Sequence, residues 1–123
     1  MNYSLDKKEN YAVFQLEEEN LNSVIAPVLK NEFVFLRNEG VKNIVFDFNK
    51  VKYVDSSGLS AILTANRLWR GFGSFVLTEI NSPIIMRLIK ISKLERILHI
   101  TDTLDEAIDL VLAEEAERHD FID

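Results

Sequence analysis

Two kinds of apolar spacing alternate along this chain. Tyr3–Lys7 and Tyr11–Leu16 read as strands around Lys8-Glu9-Asn10, the second rich in apolar and aromatic residues suited to a sheet, and a hairpin joins them. Glu17-Glu18-Glu19-Asn20 reads as a solvated acidic loop, because cation binding needs better-spaced oxygen ligands. Helical spacing follows at Val24, Ile25, Val28, Leu29, Phe33 and Leu36. Asn22 or Ser23 caps this helix, Pro27 falls in its opening turn, and Gly40 ends it. Asn43–Phe48 is a buried-looking strand, and a short bridge through Asn49–Tyr53 leads to a second helical pattern that runs to about Arg70. That helix carries two apolar stripes, Leu59, Ile62, Leu63 and Trp69 on one and Ala61, Ala65, Leu68 and Phe72 on the other. A surface helix needs only one. It is therefore expected to be pressed between sheet and neighbour, with part of its apolar surface left for a partner.

Gly71 and Gly73 turn the chain into the strand Ser74–Thr78. Ser82-Pro83 starts a third helix, with serine as cap, proline at the first position, and Ile84, Ile85, Leu88, Ile89 and Ile91 on its buried face. Arg96–Ile100 reads as a last strand, although Ser92-Lys93-Leu94-Glu95 also spells a capping box. A second capping box, Thr103 to Glu106, opens a final helix that places Leu104, Ala107, Ile108, Val111 and Leu112 on one face. The mostly charged stretch 114–123 is expected to fray. Strands joined through helices favour parallel neighbours, and the opening hairpin adds an antiparallel pair. The predicted architecture is an α/β single domain at residues 1–113, with a mixed sheet of four to five strands packed with about four helices.

Composition narrows the function classes. With 123 residues, 47% hydrophobic and 28% charged, the chain has the profile of one globular domain. No apolar run approaches the roughly 20 residues that span a bilayer, and Met1–Asp6 lacks the basic flank and apolar core of a signal peptide. There is no cysteine, so disulfide and thiolate chemistry are excluded. These features predict a cytoplasmic protein. The net charge of −6 argues against general nucleic-acid binding, which needs a basic surface, and against anionic lipid. An acidic protein can still meet a basic patch on a protein partner.

Val54-Asp55-Ser56-Ser57-Gly58-Leu59 carries the most informative chemistry. Asp, Ser and Gly favour turns and helix caps because short polar side chains bond nearby backbone groups. On spacing alone these residues read as simple caps. A serine here also sits beside free backbone N–H groups that suit an added phosphate. A hydrolase built on Ser56 or Ser57 would need a base close by. Only His99 and His119 are available, no glycine stands where a nucleophile elbow requires it, and His99 reads as a sheet residue. Neither a phosphate-cradling Gly-rich loop nor a metal-ligand cluster is present. No catalytic residue, metal or cofactor is therefore expected.

Asp55-Ser56-Ser57-Gly58-Leu59, after a strand and before a helix, resembles the signature of the STAS family, and the resemblance extends from about Tyr3 to Val111. That family includes anti-sigma factor antagonists and the cytoplasmic tails of sulfate transporters. The resemblance implies the STAS fold and phosphorylation of Ser57 by a partner kinase that is also the anti-sigma factor. Asp55, Ser56 and Leu59 would flank the site, and Gly58 would leave room for a partner. It further implies a GHKL-type serine kinase and a phosphatase as partners, with no nucleic acid and no direct membrane insertion; a homodimer is compatible with it. Two departures stand out. Members often have Gly-x-Leu/Ile-Asp after the second strand, where this chain has Glu19-Asn20-Leu21-Asn22, and Lys93 stands where glycine is frequent. Stand-alone STAS proteins also serve as non-switching subunits of lipid-transport ATPase complexes or as signalling scaffolds, and the serines would then be caps alone.

Asp47, inside a strand, invites comparison with the phosphorylated aspartate of a response-regulator receiver domain. A receiver would show regular strand–helix alternation from its start and an acidic pair after the first strand. This chain opens with two successive strands.

Overall fold

The opening alternation becomes an antiparallel pair, β1 (Tyr3–Lys7) and β2 (Ala12–Leu16), in the computed structural model, which describes residues 1–122. A two-residue strand, β3 (Asn20–Leu21), leads to α1 (Ala26–Asn38). Then come β4 (Asn43–Asp47), a second two-residue strand β5 (Tyr53–Val54), α2 (Ser56–Trp69) and β6 (Ser74–Thr78). The chain closes with α3 (Pro83–Ile91), a 3-10 turn (Leu94–Arg96), β7 (His99–Ile100) and α4 (Leu104–Ile122). The main sheet has five strands in the order β1-β2-β4-β6-β7, parallel throughout except for the β1–β2 pair. The expected mixed sheet with four helices is therefore the observed one.

Alternation along β4 and β6 sorts the helices into two layers. Ile44, Phe46, Phe75 and Leu77 belong to the large core shared with α1, α2 and α3, whereas Val45 and Val76 meet Ala107 and Val111 of α4. Phe33 of α1 stands at the centre of the large core, with ring centroids 5.0–6.0 Å from Phe14, Phe46, Trp69 and Phe75. Edge and tilted packing of this kind adds about 0.5–1.5 kcal/mol per pair beyond area burial. Trp69 also donates its indole N–H to the Val41 carbonyl at 2.9 Å, which keeps a buried polar group satisfied.

Several expected positions shift. The buried stripe of α1 is Ala26, Leu29, Phe33 and Leu36, so Val24 (75% exposed) and Val28 lie outside it. On α3 only Ile85 and Ile89 are buried, and Ile84 and Ile91 face solvent. Leu112 of α4 is exposed as well. In each helix the window spanned more apolar residues than one contact stripe can cover. The last strand is shorter than Arg96–Ile100, because Leu94–Arg96 form the 3-10 turn. Lys93 precedes that turn at φ 58°, a left-handed conformation that glycine adopts without steric cost. Lys93 departs from the frequent glycine while keeping the backbone shape glycine would supply.

The charged stretch at the C-terminus does not fray as a unit. Helix α4 continues through it to Ile122, and Asp123 lies outside the described residues. Asn43, fully buried, donates to the Asn10 carbonyl at 2.7 Å and to Glu115 Oε2 at 3.0 Å. Its Oδ1 accepts from the Ser74 N–H at 2.8 Å and from Arg118 Nη2 at 2.6 Å. Ser74 Oγ donates to Glu114 Oε1 at 2.8 Å, and Arg118 Nη2 pairs with Glu115 Oε2 at 2.8 Å. The charges that suggested a loose tail instead satisfy buried polar groups at the starts of β4 and β6. The Asn43 amide, then Arg118, hold the Glu115 carboxyl down from 4.5 to about 2.

Because its folded value is depressed, the stabilisation from ionised Glu115 is complete above about 4.5 and is lost as pH falls through about 2. Urea denaturation from about pH 5 down to pH 2 should show a steeper loss of stability for the wild type than for Glu115→Gln.

Candidate functional site at the start of helix α2

The site is assembled where two chain segments leave the sheet side by side. β3 and β5 form a parallel ladder of two pairs, Asn20 with Tyr53 and Leu21 with Val54. The Lys52 and Tyr53 N–H groups both donate to the Glu19 carbonyl, at 2.8 and 3.0 Å, and the Asp55 N–H donates to the Leu21 carbonyl at 3.2 Å. This ladder sets the entries of α1 and α2 next to each other. Neither strand shows in a period-2 pattern, because two residues are too few to make one. Ser82, the cap of α3, also donates its hydroxyl to the Lys52 carbonyl at 2.9 Å, which brings a third helix start to the same end.

Asp55 is the N-cap of α2. Its backbone is extended, and its Oδ1 accepts from the Gly58 N–H at 2.9 Å. With the cap supplied by Asp55, the serines are not needed for it. Among the described residues neither the Ser56 nor the Ser57 side chain has a hydrogen bond within the chain. Ser56 is exposed and Ser57 half-buried, so both stand at the positive end of a 14-residue helix. Asn22 serves the neighbouring helix. Its Oδ1 accepts from the Val24 and Ile25 N–H groups at 3.0 and 3.3 Å, in the turn that enters α1. The amide does here what the expected acid would have done.

Gly58 is required by the fold itself. It is buried, and a Cβ built on it would lie 2.4 Å from the Leu21 carbonyl oxygen and 2.8 Å from Val54 Cγ1. This chain's own β3–β5 ladder therefore already approaches residue 58 closely enough to require glycine. Leu59 and Leu63 are half-buried and pack on the edge of the large core, while Ala61, Ile62, Ala65 and Trp69 fill it.

The other residues singled out by sequence lie elsewhere. His99 sits 3.7 Å from Glu114 of α4, and His119, itself on α4, sits 3.0 Å from Glu115. A cavity of about 190 Å³ bounded by Trp69, Ser74, His99 and Glu114 lies at the far end of α2 from the serines. Asp47 is buried at the end of β4. It accepts from the Asn49 N–H at 2.8 Å and from Gln15 Nε2 at 3.2 Å, and burial pushes its carboxyl up. Among the described residues, no helix is long and apolar enough to cross a membrane.

The STAS domain model matches residues 2–107. The chain belongs to the STAS family. An anti-sigma factor antagonist from Mycobacterium paratuberculosis shares the fold with a TM-score of 0.80 at 19% identity, over 89% of this chain and 92% of that one. A candidate anti-sigma factor antagonist from Thermotoga maritima aligns at 0.77 and 26% identity, over 89% and 93% of the two chains. The Bacillus cell-fate determinant SpoIIAA, in its phosphorylated form, aligns at 0.68 and 23% identity, over 89% and 99%. In this STAS domain the serine pair and its cap therefore stand on the characteristic scaffold, and the wedge of Leu21 against Gly58 keeps them there.

Gly58→Ala should strain that wedge, since the nearest obstacle is a backbone oxygen that cannot rotate away. A loss of about 1–3 kcal/mol is expected in chemical denaturation, with far-UV circular dichroism little changed.

Proposed function

We propose that this STAS protein is an anti-sigma factor antagonist switched by phosphorylation of Ser57. Unmodified, it sequesters an anti-sigma factor that is also a GHKL-type serine kinase, and so frees a sigma factor for transcription. Modified, it releases that partner, and a phosphatase resets it in the cytoplasm. The observation that carries this reading is the division of labour at the start of α2. Asp55 caps the helix, and the Ser57 hydroxyl stands half-exposed with no structural bond to lose.

The chemistry asks little of this chain. The kinase supplies nucleotide, magnesium and catalytic groups. The terminal phosphoryl group passes to Ser57 Oγ as the hydroxyl loses its proton and nucleoside diphosphate leaves. The product carries about −1.5 to −2 charges at Ser57, next to the exposed carboxylate of Asp55. The helix end offsets part of that repulsion within the fold. A partner surface that had been complementary to a neutral hydroxyl has no such compensation. Half-buried Leu59 and Leu63 and exposed Tyr53 supply apolar area around the serines for such a contact.

Phosphosite mapping and intact mass of protein from its native cells test the reading directly. A phosphate on Ser57 is expected, and its absence under every growth condition would turn the assignment towards a non-switching transporter subunit or scaffold. In pull-downs with the partner kinase, Ser57→Ala should bind constitutively and Ser57→Asp at least tenfold more weakly, a difference of about 1.4 kcal/mol. Equal binding of the two variants would remove the switch.

A further inference from the structure

We propose that Lys30 of α1 is the residue that receives the phosphate on Ser57 and holds it against the flank of α2. This rests on Ser57 as the modified residue and adds an intramolecular device for the modified state. The argument begins with the way α1 and α2 run. Lys30 Nζ donates to Ser60 Oγ at 3.3 Å, and Arg37 Nε donates to the Leu68 carbonyl at 3.0 Å. The contacts advance together along both helices, so the two are parallel neighbours with their N-termini at the same end.

Ser57, Ser60, Thr64 and Leu68 follow one another at helical spacings of three and four, which puts them along one line of α2. Two members of that line, Ser60 and Leu68, are the residues that meet α1. Ser57 is thus on the α1 side, one turn nearer the helix start than the hydroxyl Lys30 already touches, with Cβ atoms about 5–6 Å apart at that spacing. The half-burial of Ser57, against the exposure of Ser56, agrees with this placement. Side chains on a helix lean towards its N-terminus, so Lys30 leans towards the end where Ser57 lies.

Lys30 is also available. Among the described residues it has no carboxylate partner, whereas Lys52, on the ladder beneath the site, is paired with Glu19 at 3.4 Å. A neutral serine hydroxyl is a weak acceptor for an ammonium, and a dianionic phosphate is a strong one. Phosphorylation therefore exchanges the Lys30–Ser60 bond for a charge-assisted bond to the phosphate. The modified protein becomes a defined second state of the surface, with the phosphate folded onto the α1–α2 seam.

The test uses the full chain with phosphoserine encoded at position 57 during translation, so no kinase is required. Phosphorus NMR titration reads the second ionisation of the phosphate in the wild type, Lys30→Gln and Lys30→Arg. A neighbouring cation favours the dianion, so the wild type and the arginine variant should titrate about half a unit or more below the glutamine variant. The same substitution with phosphoserine at position 56 should have a smaller effect. Equal titration of wild type and Lys30→Gln, or a larger effect at position 56, would overturn the assignment. Lys30 is not one of the buried core residues, and unmodified Lys30→Gln should melt close to the wild type. The result does not depend on what cells do to Ser57. Failure of phosphosite mapping and failure of this titration are therefore separate outcomes.

Discussion

One backbone carbonyl sets the geometry on which the site depends. The Leu21 oxygen accepts the Asp55 N–H at 3.2 Å and leaves no room for a side chain at residue 58. This pins the first turn of α2 to the strand that enters α1. Everything at that end follows from the contact: the parallel course of the two helices, the cap by Asp55 and the release of the serine hydroxyls from structural work. A short ladder can do this because its few hydrogen bonds are backed by Leu21, fully buried in the large core. A paired backbone group in a dry environment is costly to separate.

The sheet gives the molecule two chemically different ends. At the starts of β4 and β6, buried Asn43 and Ser74 are satisfied by Glu114, Glu115 and Arg118 of α4, a network with no unpaired buried side-chain atom. At the other end the starts of α1, α2 and α3 converge, and among the described residues the Ser56 and Ser57 hydroxyls there have no hydrogen bond within the chain. Satisfied networks make a region rigid and specific, whereas free hydroxyls and helix starts make it receptive to added charge. The proposed binding function falls at this end, where the serine hydroxyls are not consumed by the fold.

Rigidity on one side of that site comes from α1. Phe33 locks it to the sheet through Phe14, Phe46 and Phe75 and to α2 through Trp69, and Arg37 stacks on Phe72 with its guanidinium carbon 3.4 Å from the ring centroid while bonding the Leu68 carbonyl. A helix fixed in this way holds Lys30 in a constant position beside the line of Ser57 and Ser60. The residue proposed to carry phosphate and the residue proposed to receive it thus sit on two elements whose relative placement is set by the core.

The order of the main strands and helices was legible in the sequence because it depends on local periodicity and on caps. Pro27, Ser82-Pro83 and Thr103 to Glu106 mark helix starts through backbone chemistry that needs no distant partner. The motif at Asp55–Leu59 was legible for the same reason, its residue types being demanded by a strand-to-helix turn. The β3–β5 ladder was not legible, since two residues carry no period and their pairing spans a long loop. Nor was the outward turn of Val24, Ile84 and Ile91, because spacing identifies a helix but not which of its apolar residues meets a neighbour. The charged stretch after Ala113 read as loose, since charge predicts solvation until a buried amide such as Asn43 lies opposite. Sequence alone determined the main strands and helices, the family and the serine pair. Tertiary structure decided that Gly58 answers to Leu21 and that Lys30 faces the line of Ser57, because each of these is a contact between residues far apart in the chain.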